Sequence, residues 1–249
     1  EIVFIESNKE EEICEGKDVK VSFIKEKEIK SIVEDALENK QKILIIKNTI
    51  DSVNRTYEFL KENLSDKYGG VDIDVLHSRF KFKDKKEKYS KILNGEGDIW
   101  ISTQSVEISL DLDFNIIIRD LATMDSLIQS MGRCNRNNKY EYGNFYILPS
   151  EDKIYDNKLK NTTKSILKDI LKTNSIFTMG IRKTILDDYY DNSVVKKYFE
   201  ENFISCDKFH KGPNKKILND ICENKAIILS DVTGKMLWLN DKAFERFKI

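Results

Sequence analysis

Residues Gln129 to Arg136 form the string Q-S-M-G-R-C-N-R, which has the pattern Q-x-x-G-R-x-x-R. Arg133 and Arg136, three residues apart, would share one face of a helical turn. A guanidinium stays charged and offers forked donors that match phosphate oxygens. Gly132 would let another backbone come close. The string therefore suits the gripping of a polyphosphate, and an arginine pair held by neighbouring carboxylates is its plain alternative. A second string, STQSVEISLDLD, runs from Ser102 to Asp113. Thr103, Gln104 and Ser105 carry small polar groups able to donate to phosphate oxygens. Asp111 and Asp113 are spaced to share one face of an extended segment, where one carboxylate could accept from a ribose hydroxyl. Turn-capping aspartates are the alternative, and a glycosidase pair fits poorly because nothing else suggests a sugar cleft.

These strings need elements to position them. Between about residues 42 and 148, short apolar β-branched runs alternate with longer amphipathic stretches, the mark of an α/β fold with a parallel sheet flanked by helices. Strands are expected at Lys42–Lys47, Asp72–His77, Asp98–Ser102, Asn115–Arg119 and Asn144–Leu148, each a buried run rather than an alternating one. Asp51–Leu64 places Val53, Tyr57, Leu60 and Leu64 at helical spacing, with Thr49 or Asp51 as N-cap. Further helices are expected at Asp84–Leu93 and Met124–Arg133, with a turn at Asn94–Gly97. The string from Ser102 begins where a strand ends, the edge at which open α/β sheets bind ligands. Asn48-Thr49 and His77-Ser78-Arg79 follow two other strands on that edge.

Residues 1 to 41 read as a lead-in with one or two extended segments and a helix at Glu28–Glu38. Beyond Pro149 the pattern changes to helices at Lys153–Leu171 and Ser193–Phe203 and a hairpin turning at Thr233-Gly234. The expected division is therefore residues 1–149 and a smaller, mostly helical C-terminal subdomain at 150–249 that contains the hairpin. The run Lys81–Lys88, KFKDKKEK, reads as a solvated helix entrance, with phosphate contact as its alternative.

Composition bounds the function classes. The 249 residues are 40% apolar and 34% charged, with 42 basic against 43 acidic side chains. Net charge near zero does not announce a nucleic-acid binder, so binding must come from local placement. No run of about 18 uncharged apolar residues occurs, and the first residues lack a signal-peptide pattern, so a cytoplasmic location is expected. Cys14, Cys134, Cys206 and Cys222 form no C-x-x-C pair, and with only His77 and His210 beside them no metal site is expected.

In order, spacing and strand context, STQSVEISLDLDF followed by QSMGRCNR resembles the second lobe of superfamily two helicases. With Leu76-His77-Ser78-Arg79-Phe80 added, the wording resembles the CRISPR-associated type I helicase–nuclease family, over roughly residues 40 to 148. The resemblance implies a RecA-like motor lobe in residues 1–149, with 150–249 as an appendage. It implies an ATP-dependent single-stranded DNA translocase acting in CRISPR interference and antiviral defence. Arg136 would then be the arginine finger and Arg133 its phosphate-binding partner. Gln129, Gly132 and Asp111 would lie at the nucleotide, and Asn48, Thr49, His77, Ser78, Arg79, Thr103, Gln104 and Ser105 would track the strand. Ser130 departs from the pattern, since close relatives commonly carry arginine there.

No G-x-x-x-x-G-K-[ST] string, Asp-Glu pair or His-Asp pair occurs. The chain is therefore expected to be the C-terminal part of a longer protein, without the first lobe and the nuclease, and inactive alone. ATP with Mg²⁺ would be held mainly by that first lobe, and single-stranded DNA and an RNA-guided surveillance complex would be the partners. A generic superfamily two helicase lobe and a non-catalytic RecA-like docking module are the alternative readings.

Overall fold

The computed structural model describes residues 18–64, 68, 70–104, 112–202, 227–230 and 236–239. It contains two compact units, Glu1–Tyr189 and Tyr190–Ile249.

The first unit is built on a seven-stranded sheet. Its elements are β1 (Val19–Phe23), α1 (Ile29–Glu38), β2 (Ile43–Ile46), α2 (Ile50–Leu64), β3 (Ile73–Leu76), α3 (Phe82–Leu93), β4 (Ile99–Ser102), β5 (Ile116–Asp120), α4 (Met124–Met131), β6 (Gly143–Leu148), α5 (Asn157–Ile170) and β7 (Ile176–Phe177), with α6 (Met179–Asp191) running across the unit boundary. The strand order is β3-β4-β2-β5-β6-β1-β7, and every pair is parallel except β1 with β7. All five expected strands form, each within about a residue or two of its expected ends. The lead-in supplies β1, which pairs Val19 with Gly143 and so extends the sheet beyond β6.

The central strands are buried on both faces, which explains their unbroken runs of Ile and Leu. Ile43, Ile45, Ile99, Ile101, Ile116 and Ile118 form one core with Val33 and Ala36 of α1 and Val53, Leu60 and Leu64 of α2. Alternate residues, including Leu44, Trp100 and Ile117, point to the opposite face and are equally buried. Arg119 shares that second face and donates from Nη2 to Ser126 Oγ of α4 at 2.8 Å. Helix α4 therefore covers the face opposite α1 and α2.

Thr49 caps α2, because its Oγ1 accepts from Ser52 N at 3.1 Å. The expected turn at Asn94–Gly97 forms with Gly95 at φ +72° and Gly97 at φ +83°. A Cβ on Gly97 would lie 2.8 Å from Trp100 Nε1, so glycine is needed there twice over. No helix among the described residues is long and apolar enough to cross a membrane.

The unit that runs to Tyr189 includes β7, which pairs with β1, and α5, whose N-cap Asp156 accepts from Lys158 N at 2.7 Å. The second unit contains α7 (Ser193–Asn202) and the antiparallel pair β8 (Ile227–Ser230) and β9 (Met236–Leu239). The expected hairpin strands are therefore present, while their turn at Thr233-Gly234 lies outside the described residues.

Candidate nucleotide and nucleic-acid edges

The parallel strands give the sheet two distinct edges, and the site residues divide between them. The residues after β2, β3 and β4 gather at the carboxyl edge. Because the spatial order there is β2-β4-β3, Asn48-Thr49, Thr103-Gln104 and His77-Ser78-Arg79 lie in that sequence along one row. Thr103 N donates to Leu76 O at 3.3 Å and Ser102 Oγ to the same carbonyl at 2.7 Å, which locks the β4 exit beside the β3 exit.

Within this row, side chains differ in availability. Asn48 is 4% exposed, and its Nδ2 donates to Leu121 O at 3.0 Å and Asp152 Oδ2 at 2.8 Å. Thr49 is occupied by capping and Thr103 is buried. Gln104 donates from Nε2 to Tyr155 OH at 2.9 Å. Ser78 and Arg79 are exposed, so they are the open part of the row. His77 stacks on Phe80 with ring centroids 4.4 Å apart. Burial, then the charges of Arg79, Lys85 and Lys88, hold its pKa below 6.5. Ser105 and Asp111 lie outside the described residues.

Two features of this edge were not anticipated from sequence. Lys47, 3% exposed, is paired with Asp120 Oδ1 at 2.7 Å and with Glu26 Oε1 at 3.0 Å. Asp120 also accepts from Asn48 N at 3.0 Å, and burial pushes its carboxyl above the ordinary value despite Lys47. The only sequence signal was a Lys and an Asp ending two apolar runs. The second feature is Tyr155, whose hydroxyl lies 2.8 Å from Ser126 Oγ and accepts from Gln104 and from Arg119 Nη2 at 3.3 Å.

The arginine string lies at the opposite, amino edge. Helix α4 begins after β5 at the carboxyl edge and returns antiparallel to the strands, ending at Met131 with Gly132 as C-cap. The chain then bonds to the residues that enter β5: Phe114 N donates to Arg133 O at 3.0 Å and Asn135 N to Phe114 O at 2.8 Å. Asn135, buried and at φ +51°, turns the chain sharply. Its side chain brackets Tyr140, donating to the carbonyl at 2.7 Å and accepting from the amide at 3.2 Å. A Cβ on Gly143 would meet Cys134 Sγ at 2.5 Å, so this clamp depends on glycine in β6.

Three expectations change here. Arg133 and Arg136 follow the helix and are separated by the left-handed Asn135, so they do not share a helical face. The pairing with Phe114 competes with a further helical turn and wins. Gly132 has helical φ −65°, and a Cβ there would meet only its own helix's carbonyls, Gln129 O at 3.3 Å and Ile128 O at 3.9 Å, rather than a second backbone. The string from Ser102 to Asp113 does not stay at one edge: Thr103-Gln104 lie at the carboxyl edge and Asp113 at the amino edge. Gln129 is exposed, Arg133 and Arg136 are partly exposed, and Ser130 is fully buried, donating from Oγ to Ser126 O at 2.9 Å. Beside them an open cleft of about 360 Å³ is lined by Lys40, Lys42, Asp113, Asn137, Lys139 and Tyr140. Lys139 reaches Asp113 at 3.4 Å. This edge thus gathers guanidinium, ammonium and hydroxyl donors of the kind a polyphosphate and a ribose accept.

Residues 39–139 match the family described as CRISPR-associated nuclease/helicase Cas3, C-terminal. Over that stretch the chain is similar to the Cas3 helicase family. It is 27% identical over 257 residues to the CRISPR-associated nuclease/helicase Cas3 of Streptococcus thermophilus, covering 91% of this chain and 27% of that protein. It thus spans about a quarter of the length of that Cas3 relative, and 21% of the next, from Methanothermobacter thermautotrophicus. Its fold matches the crystal structure of T. fusca Cas3 with a TM-score of 0.62 at 22% identity, covering 72% of this chain and 25% of that one.

Proposed function

We propose that this chain is the second RecA-like motor lobe, with a C-terminal appendage, of an ATP-dependent single-stranded DNA translocase acting in CRISPR interference. The observation that carries the reading is the separation of two chemistries on one sheet. Two arginines of a kind that can grip phosphate occupy the amino edge, and polar exits of three neighbouring strands occupy the carboxyl edge. A motor needs both on one rigid body, so that a change at the nucleotide moves the strand contacts.

In this reading residues 1–149 carry both edges and 150–249 form the appendage. Arg136 is the finger that offsets charge developing on the transferred phosphoryl group, and Arg133 holds a neighbouring phosphate oxygen. Gln129, Gly132 and Asp111 border the nucleotide. Ser78 and Arg79 contact the DNA backbone directly, with His77 and Gln104 beside them and Ser105 sharing that role, while Asn48, Thr49 and Thr103 build the edge. ATP and Mg²⁺ are held mainly by a first lobe, so this chain alone turns over no ATP. Similarity to the Cas3 family supports DNA as the track, an RNA-guided surveillance complex as recruiter and a cytoplasmic location.

The test is ATP hydrolysis by a protein in which this chain follows a first motor lobe, with and without single-stranded DNA. Arg136→Ala should slow DNA-stimulated turnover by about 10³- to 10⁵-fold while leaving nucleotide affinity nearly unchanged. Equal turnover by the two proteins would leave a docking module as the better reading.

A further inference from the structure

Phe82 is 84% exposed, far more than any other large apolar side chain among the described residues, the next being Ile154 at 56%. It opens α3, six residues beyond the carboxyl end of β3. Strand β3 is the outer strand of the sheet, so Phe82 stands beyond the end of the row formed by Thr49, Gln104 and His77–Arg79. Its neighbour Phe80 is already used: His77 stacks on one side of it and Lys88 Nζ lies 4.9 Å from its ring. Among the described residues Phe82 has no ring contact of that kind. Around it, Arg79, Lys81, Lys83 and Lys86 are exposed, and residues 79 to 88 hold six basic against two acidic side chains.

A single exposed aromatic ring is common on a protein surface, but one ringed by cations beside a row of polar strand exits suits a ligand with flat apolar rings strung on a polyanion. We propose that Phe82 is a base-stacking platform for single-stranded nucleic acid, with Lys81 and Lys83 holding the flanking phosphates. This rests on the strand-tracking reading of the carboxyl edge and extends it past β3. Stacking is tolerant of base identity, because every base presents a π face, which is what a moving motor needs. Two adjoining aromatics therefore divide the labour: Phe80 holds the His77 loop in shape, and Phe82 meets the ligand.

The experiment is fluorescence anisotropy of a labelled oligothymidylate with the 249-residue chain at several salt concentrations. Phe82→Ala should weaken binding about tenfold, and Phe82→Trp should keep it, since base–aromatic stacking accounts for a loss of that order. The salt slope should be unchanged by Phe82→Ala and fall by about 0.7 for each of Lys81→Gln and Lys83→Gln. An oligonucleotide carrying abasic sites should bind the unaltered chain as weakly as the full oligonucleotide binds Phe82→Ala. Binding that Phe82→Ala leaves untouched, or that Phe82→Trp does not preserve, overturns the stacking platform alone. No binding by the unaltered chain overturns the strand-tracking surface and the platform with it. Phe82 is exposed, so the variants should share one thermal melt.

Discussion

His77 shows how a side chain's setting exceeds its type. As an isolated imidazole it would be half-protonated near pH 6.5; here burial and then the charges of Arg79, Lys85 and Lys88 shift it toward the neutral form. Phosphates laid on Ser78 and Arg79 would offset those charges and raise its pKa. Binding would then take up a proton, and affinity would rise as the pH falls toward the free value below 6.5. The chain has only two histidines, so an NMR titration reads this directly, with and without an oligonucleotide. A His77 pKa that DNA leaves in place would count against strand contact at this loop. Residue types at the edge were legible in the sequence, but their availability was not. Asn48 and Arg79 both read as polar contacts, and only packing decides that one is buried in internal bonds and the other is open.

At the scale of elements, β3 and α3 are joined by charge more than by apolar packing. Asp72 and Asp74 project from the same face of the strand, and Lys88 and Lys91 lie one turn apart on the helix. Lys91 Nζ is 2.9 Å from Asp72 Oδ2 and 3.0 Å from Asp74 Oδ2, and Lys88 also bonds to Asp74. Partial burial raises the Asp74 pKa, yet hydrogen bonds from Lys88 and Lys91 outweigh it and hold the carboxyl below 3.8. A carboxylate whose folded pKa is depressed stabilises the fold fully above its unfolded value and loses that effect as the pH falls through the folded one. Urea resistance should therefore decline below pH ~4. Asp74→Asn should flatten that acid limb and cost about 1 kcal/mol at pH 7, the upper range for partly exposed pairs. An acid limb identical in the variant would remove the clamp from the account. The outer position of β3 explains this reliance on charge, since its residues are mostly half-buried, unlike those of β2 and β5.

At the scale of the whole first unit, Tyr155 ties together segments that the sequence keeps far apart. Its hydroxyl meets Gln104 after β4, Arg119 in β5 and Ser126 in α4. Helix α4 then runs to the other edge, where Arg133 and Arg136 follow it, so this one hydroxyl connects the polar row at the carboxyl edge to the element that precedes the arginines. Tyr155→Phe keeps the ring and removes the bonds. Stability should fall by about 1–3 kcal/mol, the range for stripping a partner from buried or charged groups. Urea unfolding measures it, and an unchanged midpoint would show that the neighbours re-pair without the hydroxyl.

The sequence by itself determined the five strands β2 to β6, most plainly where runs such as ILII and IIIR suit the buried middle of a parallel sheet. It also determined the helices that cover them, through apolar residues recurring at helical spacing, and the residue types of the arginine string. Tertiary structure alone decided where that chemistry stands. Whether α4 continues past Met131 depends on Phe114, distant in sequence, offering its backbone to Arg133 and Asn135. The short strand β7 exists only because β1 provides an edge to pair with, and two residues carry too little periodicity to announce themselves. The division of one polar string between two edges of the sheet follows from β4 and β5 both running parallel to β2, which puts the exit of one and the entry of the other at opposite edges. Local pattern reports which residues will be buried or helical; which edge they reach is settled by strand order, and strand order is a property of the whole fold.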